Sequence, residues 1–402
     1  CRPADYATAG EAVGRTYEEV DAVSQHALSE LSGLAGMAGW DSAGQEFAAA
    51  YDDAAGALFI SMSHLIDGAG QIADLLHATG FNHANADDPG SAPDAAASDY
   101  PPAPNLSAIS RPAVRTPPSA NGGDDDPPWG WSLVETAVGY LWPNGDESKL
   151  RSAASAWRLA GAGLGTAALP IHDAIDMVAA QQSPEVGVVT DACEEYRAQL
   201  LDIADCCASL AAACDEYADH LATAHEEILD LLNQLLWETA VIGTIGVAGA
   251  FVTAGGAAAG GSAAVAARVT MYAARISTVI DKLVAATGFV GRTIIAIVGR
   301  STEVGSRIWA AVMSRSQVLA SKIPGVSHLG RIPLKQELDN AQVWRGRFPN
   351  DGGPPNGFLV RRDQQGNVTH YIQYDSDGKG IKRVDITGAS HAGVPTPHVV
   401  DI

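Results

Sequence analysis

Two periodicities divide this chain, and one fold cannot satisfy both. Up to about residue 327, apolar residues recur at three- and four-residue spacing in acidic, Ala/Gly-rich sequence. From about His328 they alternate in short runs separated by glycine turns. The first pattern lays apolar side chains along one stripe of a helix, and the second lays them on one face of a strand. The chain therefore reads as multidomain: mainly α-helical hairpins or a bundle, then a small α+β domain. At 402 residues there is ample length for both.

Charge follows the same division. The net charge is -22, yet residues 328–402 hold about nine Lys/Arg against eight Asp/Glu, so nearly all the negative charge lies upstream. An acidic helical part repels nucleic acid and stays soluble. A near-neutral tail is free to approach RNA or an acidic inhibitor. Cys193, Cys207 and Cys214 are spaced by multiples of seven and so share one helix face. That is neither a disulfide framework nor a zinc pattern, and they read as buried small apolar residues. No cofactor is expected, because no P-loop, Ser-His-Asp order or dinucleotide fingerprint is present, and no metal is expected, because the histidine spacing matches no zinc pattern.

Residues 1–84 read as a first helical hairpin. Val13, Tyr17, Val20, Val23 and Leu28 mark one helix, and Phe47, Tyr51, Leu58, Met62 and Leu65 the other. Between them the glycines of Gly36-Met37-Ala38-Gly39-Trp40-Asp41-Ser42-Ala43-Gly44 allow a tight reversal, and Asp41 or Ser42 can cap the second helix. Residues 85–128 are rich in Pro, Ala, Ser and Asp without periodicity, the composition of a disordered or extended linker. Residues 129–237 form a second helical unit containing Tyr140-Leu141-Trp142-Pro143-Asn144-Gly145-Asp146 and Trp157-Arg158-Leu159-Ala160-Gly161.

These residues carry a resemblance. Trp40 at the bend, with Gly44 four residues on, is similar to the Trp-x-Gly (WXG100-like) hairpins of type VII (ESX) secretion substrates. Together with the stretch around Trp157, it resembles the export and channel region of the tuberculosis necrotizing toxin precursors of mycobacteria. The resemblance covers about Cys1 to Leu235. It implies two export modules packed on each other, joined by a Pro-rich linker, with the type VII machinery as partner. Such substrates usually carry a Tyr-x-x-x-Asp export signal. Tyr17 to Asp21 has that form within the first helix, where it reads equally as a helix face.

Residues 238–327 open on an apolar stretch. Thr239 to Ala267 has no charged residue and is long enough to span a bilayer, but it is also weakly hydrophobic and glycine-rich. It reads as a membrane-inserting hairpin or as a buried Ala/Gly segment. Arg268, Arg275, Lys282, Arg292, Arg300, Arg307, Arg315 and Lys322 then recur about every seven or eight residues. Two partners fit such a basic stripe: an anionic membrane lying against 239–322, or the acidic helices upstream.

In the tail (328–402), Phe358 to Arg362, Val368 to Tyr374 and Ile381 to Ile386 read as strands joined by turns at Gln365-Gly366-Asn367 and Ser376-Asp377-Gly378-Lys379-Gly380. A helix over Pro333 to Trp344 would cover one face. The sheet, then Arg383-Val384-Asp385-Ile386-Thr387-Gly388, Ser390-His391-Ala392-Gly393 and Pro395-Thr396-Pro397-His398, resemble the polymorphic toxin type 24 domain. That resemblance implies a curved antiparallel sheet of the barnase/EndoU/colicin/RelE kind and ribonuclease activity.

The chemistry is consistent with that. Metal-free RNA cleavage needs a base for the 2′-hydroxyl, an acid for the 5′-oxygen and cations for the phosphorane charge. His391 and His398, seven residues apart across a Gly/Pro loop, and His370 on the middle strand are the candidate catalytic groups. Substrate-binding candidates are Lys382, Arg383, Arg361, Ser390 and Thr396. Lys382 and Arg383 point to opposite faces, so only one can face the site, and Arg361 and Arg362 pose the same choice. Asp385 suits orienting Arg or His better than acting as a base.

The expectation is a secreted toxin, at the cell surface or membrane-associated before delivery, that cleaves RNA and needs a cognate immunity protein. The alternatives are a non-catalytic channel or export protein with a C-terminal recognition module, and a toxin enzyme acting on DNA or a nucleotide.

Overall fold

The computed structural model describes residues 1–87, 100–101, 115–123, 126–242, 261–322, 338, 341–355, 357–363, 366, 368–374, 377–385 and 398–401. Pro3 opens α1 (Pro3–Leu31), where a missing N–H leaves no bond unmade and a fixed φ suits the first turn. The chain then reverses through Gly36 and Gly39 at φ of 70° and 101°, a region that favours glycine. Asp41 caps α2 (Ser42–Asp87), its Oδ1 accepting from the N–H groups of Ala43 at 2.9 Å and Gly44 at 3.3 Å. α1 and α2 pack on each other across this turn, and α2 runs on to Asp87.

Asp146 caps α4 (Glu147–Ala167) by accepting from the Lys149 N–H at 2.9 Å. This helix follows the short α3 (Trp131–Val138) and precedes α5 (Leu169–Ala179), α6 (Val186–Ile242) and α7 (Gly261–Lys322). These seven helices feed one apolar core that runs in sequence from Tyr6 to Val312. Trp157 of α4 lies fully buried within it, and its Nε1–H donates to the Tyr51 hydroxyl of α2 at 3.0 Å. Gly161 permits the close approach of α4 to α6, since a Cβ there would stand 2.8 Å from the Ala204 carbonyl oxygen. Cys193, Cys206, Cys207 and Cys214 are buried free thiols on α6. Burial pushes Cys207 and Cys214 well above the ordinary thiol range.

The Pro-rich connection contributes more than reach. Its end, residues 115–123, lies against the hairpin turn: Gly36 N–H donates to Ser119 O at 3.1 Å, Ala38 N–H to Ala120 O at 2.8 Å and Gly39 N–H to Gly122 O at 2.6 Å. The start of the second unit joins the same turn. Trp40 N–H donates to Asn144 Oδ1 at 2.7 Å, and the Tyr217 hydroxyl donates to Ala38 O at 2.9 Å. The first turn thus becomes the meeting point of both helical units and the described end of the linker.

α6 runs unbroken past residue 237, and α7 packs on α2, α3 and α6, so the core continues into the segment that follows the second unit. Tyr272, Ile276, Ile280, Leu283, Ile294 and Ile308 of α7 are buried there. Three of its cations pair with carboxylates of α6: Arg268 with Glu238 at 3.0 Å, Arg300 with Asp202 at 2.6 Å and Asp205 at 3.5 Å, and Arg307 with Asp202 at 3.9 Å. Of the two partners open to the basic stripe, these three positions take the acidic helix. By length and composition Ala263–Val312 could still cross a membrane, with 33% of its most apolar window buried. Residues 243–260 of the apolar stretch lie outside the described residues.

The tail forms a five-stranded sheet in the order β1 (Gln342–Val343), β2 (Phe358–Arg362), β3 (Val368–Tyr374), β4 (Gly380–Asp385) and β5 (His398–Asp401). β2, β3, β4 and β5 pair antiparallel, and β1 adds a parallel edge. Two corrections follow. Gln342–Val343 is a strand, not the end of a covering helix, because its backbone pairs with Leu359 and Val360. His398 opens a strand rather than closing a loop, because it pairs with Asp385. One face packs Phe358, Val360, Tyr371 and Val384 with Leu338 and Ala341. The other packs Leu359, Ile372 and Tyr374 with Phe348 and Trp344.

Candidate active site

The strand register assembles the polar residues of the tail. Arg361 of β2 stands opposite His370 of β3, His370 opposite Asp385 of β4, and Asp385 opposite His398 of β5. Directly opposed residues share a face, with Cα atoms about 4.5–5.5 Å apart. The four positions therefore form one row across four strands, with Asp385 between two histidines. Arg383, opposite Ile372, is two residues from Asp385 and on the same face.

Local structure fixes the visible members of the row. His370 is half-buried, with Nδ1 3.0 Å from the Thr369 hydroxyl, which in turn donates to Arg361 O at 3.2 Å. The Arg361 guanidinium lies 4.8 Å from the Phe348 ring centroid and donates to Gly346 O. Arg362 leaves the row at the bulge between Arg361 and Arg362, and donates to Gly366 O at 2.8 Å and Leu338 O at 2.7 Å. Tyr371 belongs to the opposite face, where burial pushes its hydroxyl up to about 12. Tyr374 is also raised by burial, so neither tyrosine titrates near neutrality.

The sequence candidates separate accordingly. The register brings His370, His398, Arg361 and Arg383 to one face. Lys382, opposite Gln373 and Asp401, falls on the other, so Arg383 and not Lys382 shares the face of the row. Ser390, His391 and Thr396 lie outside the described residues. Asp385 takes the centre of the row, a placement the sequence reading did not draw. Its signal was there: a hairpin centred on Asp377-Gly378 places Asp385 and His370 each seven residues from the turn. Among the described residues, no group of three or more His, Cys, Asp or Glu side chains could hold a metal ion.

The export-related candidates also have places. Trp40 is 53% exposed at the turn. Gly44 packs against the Ala38 carbonyl with no room for a Cβ. Tyr17 is buried in the helical core, and Asp21 accepts from Gln25 Nε2 at 2.7 Å, so this string is built as a helix face.

Residues 338–402, which contain the row, match the family model of bacterial toxin 24, and residues 117–277 match that of the WXG100 like domain. The two matched regions together resemble the layout of a type VII-associated polymorphic toxin. It is 36% identical over 235 residues to the outer membrane channel protein CpnT of Mycobacterium tuberculosis, and equally to that of Mycobacterium bovis. That match takes in 58% of this chain and 27% of the relative. It is 33% identical over 199 residues to a Mycobacterium avium protein carrying the name NAD(+)–arginine ADP-ribosyltransferase Mav, covering 48% of this chain and 23% of that one. The chain thus spans about a quarter of the length of the curated relatives it matches. No solved structure matches it.

Proposed function

We propose that this toxin is a secreted ribonuclease, carried by its helical part and acting through its C-terminal sheet. The observation that carries the reading is the row Arg361–His370–Asp385–His398 inside a region that matches a toxin family. Cα atoms two strands apart are about 10 Å from each other, which leaves room for a phosphodiester between His370 and His398. One imidazole takes the 2′-hydroxyl proton as the 2′-oxygen attacks phosphorus. The other gives its proton to the 5′-oxygen as the P–O5′ bond breaks, leaving a 2′,3′-cyclic phosphate and a free 5′-hydroxyl. Arg361 and Arg383 stabilise the phosphorane charge, and Asp385 orients the imidazoles. His391, Ser390 and Thr396, from the connection between β4 and β5, are assigned to the same site. No metal or cofactor enters the scheme.

The WXG100-like match and the likeness to a channel protein support export by a type VII system and contact with a membrane, with a cell-surface or membrane-associated stage before delivery. A ribonuclease made in the cytoplasm requires a cognate immunity protein that blocks the row until export. The channel likeness and the apolar length of α7 favour a second reading, an export or channel protein whose tail only recognises a partner.

The test is RNA cleavage by the full chain, with DNA and NAD(+) as alternative substrates and EDTA in a parallel reaction. His370→Ala, His398→Ala and His391→Ala are each expected to slow EDTA-resistant cleavage by about 10²- to 10⁴-fold. Intact RNA with a correctly folded chain would sink the ribonuclease reading, and turnover of DNA or NAD(+) would replace it.

A further inference from the structure

Beside the row lies a second feature that none of the matched families explains. Trp344, Arg345, Arg361, Arg362 and Asp363 line an open cavity of about 490 Å³ at the β1–β2 edge. Three arginines and one aspartate are among its lining residues, so the cavity is cationic. Two of the three are held in place: Arg361 over Phe348, and Arg362 by the carbonyls of Gly366 and Leu338. Arg345 is exposed and forms no ion pair among the described residues. The Arg361 Nε is buried and finds no hydrogen-bond partner in the protein. Trp344 supplies a flat wall. Its Nε1–H donates to Arg347 O at 2.9 Å, its backbone N–H donates to Val360 O at 2.8 Å, and its ring is half-buried against the Phe348 cluster.

Guanidinium groups match phosphate oxygens in charge and fork geometry, and an indole face stacks on any nucleobase. The geometry points to this cavity as a flanking-nucleotide subsite: it binds the phosphate and base next to the phosphodiester that the row cleaves, with Arg361 shared between the two. The inference rests on the RNA-cleaving reading. A single cation patch would suit any acidic ligand. The aromatic wall, and the continuity through Arg361 with a row of histidines, select a polynucleotide over an acidic peptide. Direct readout of base edges is not required, so the subsite contributes affinity and register rather than sequence choice.

The experiment uses the full chain and two probes. Binding to a fluorescent 2′-O-methyl oligoribonucleotide, which lacks the nucleophile, is followed by anisotropy across a salt series. Cleavage is followed on that sequence as plain RNA and on a dinucleotide too short to reach the cavity. Arg345→Ala, a surface change, is expected to weaken oligonucleotide binding about tenfold and to lower the slope of log K against log salt by about 0.7, the loss of one phosphate contact. Dinucleotide turnover is expected to stay at the wild-type rate. Trp344→Phe, which keeps a stacking face, retains most of the affinity, and Trp344→Ala does not. Unchanged binding and salt slope in Arg345→Ala, while the wild type cleaves RNA, would overturn the subsite and leave the ribonuclease standing. Equal losses on dinucleotide and oligonucleotide would overturn it as well. A wild-type chain that neither binds nor cleaves RNA removes the ribonuclease reading and the subsite with it.

Discussion

Trp157 joins the two helical units, and its environment allows the strength of that joint to be worked out. It is 0% exposed on α4, with its ring centroid 5.7 Å from Phe59 and 6.5 Å from Tyr51, both on α2. Tyr51 is pushed well above the ordinary tyrosine range, mainly by burial, so its hydroxyl remains a neutral acceptor for the indole N–H. Trp157→Ala deletes a large buried side chain and is expected to cost about 3–5 kcal/mol. Trp157→Phe keeps much of the packing but strands the Tyr51 hydroxyl, at about 1–3 kcal/mol. Tyr51→Phe strands the indole N–H instead, at a similar cost. In the double variant neither polar group is left alone, so the two losses are expected to fall short of additivity by about 1 kcal/mol. Urea unfolding followed by far-ultraviolet circular dichroism measures each change through the midpoint at constant slope. Strict additivity would show that the hydrogen bond does not form. Loss of the helical signal in two transitions, with only one responding to Trp157→Ala, would show that the units do not share the core described above.

Three further outcomes follow from buried groups. Burial raises Asp74 to about 6, above its unfolded value, so its contribution is fully present below about pH 4 and is lost as pH rises through 6. Asp74→Asn is therefore expected to raise Tm by a few degrees near neutral pH and to leave it unchanged below about pH 4. Equal effects at both would refute the assignment. Of the five cysteines only Cys1 is exposed, so a thiol reagent should label one site rapidly and the other four only on unfolding. Fast labelling of a second thiol would contradict the packing of α6. Gly44→Ala forces a Cβ onto the Ala38 carbonyl, which also accepts from Tyr217. A loss of about 1–3 kcal/mol is expected in the same urea assay, and a neutral result would mean that the turn is not packed as described.

What could be read beforehand depended on whether an element leaves a side-chain pattern. The helices do, because residues such as Phe47, Tyr51, Leu58 and Leu65 must recur on one face to reach the core. The pairing of β3 with β4 also does, through the turn at Asp377-Gly378. The docking of residues 119–122 leaves none: it uses backbone N–H and carbonyl groups of Gly36, Ala38, Gly39, Ser119, Ala120 and Gly122, which any sequence carries. β5 escaped for a related reason. Four residues after a Gly/Pro/His run are too few to show alternation, and its pairing partner is set by a long connection rather than a tight turn. The row was thus half legible: His370 and Asp385 follow from a local turn, while His398 joins them only through tertiary pairing.

α7 is where the carrier and membrane readings meet, and the physics constrains how they combine. Moving Ile276, Ile280, Leu283, Ile294 and Ile308 from this core into lipid exchanges one apolar surrounding for another, so their burial alone gives little net drive. The ion pairs of Arg268, Arg300 and Arg307 are surface pairs, worth about 0–1 kcal/mol each, and do not lock the helix down either. What opposes departure is the partner surface. Leaving would expose the apolar faces of α2 and α6 to water at about 25 cal/mol for each Å² uncovered. A lone α7 therefore has no reason to leave. It enters a bilayer only if α2 and α6 are covered at the same time, by lipid or by further copies of the chain. At three positions the basic spacing, which fitted a membrane or the acidic helices equally, is part of the helical fold, and any membrane role of this segment belongs to a rearranged bundle rather than to the helix by itself.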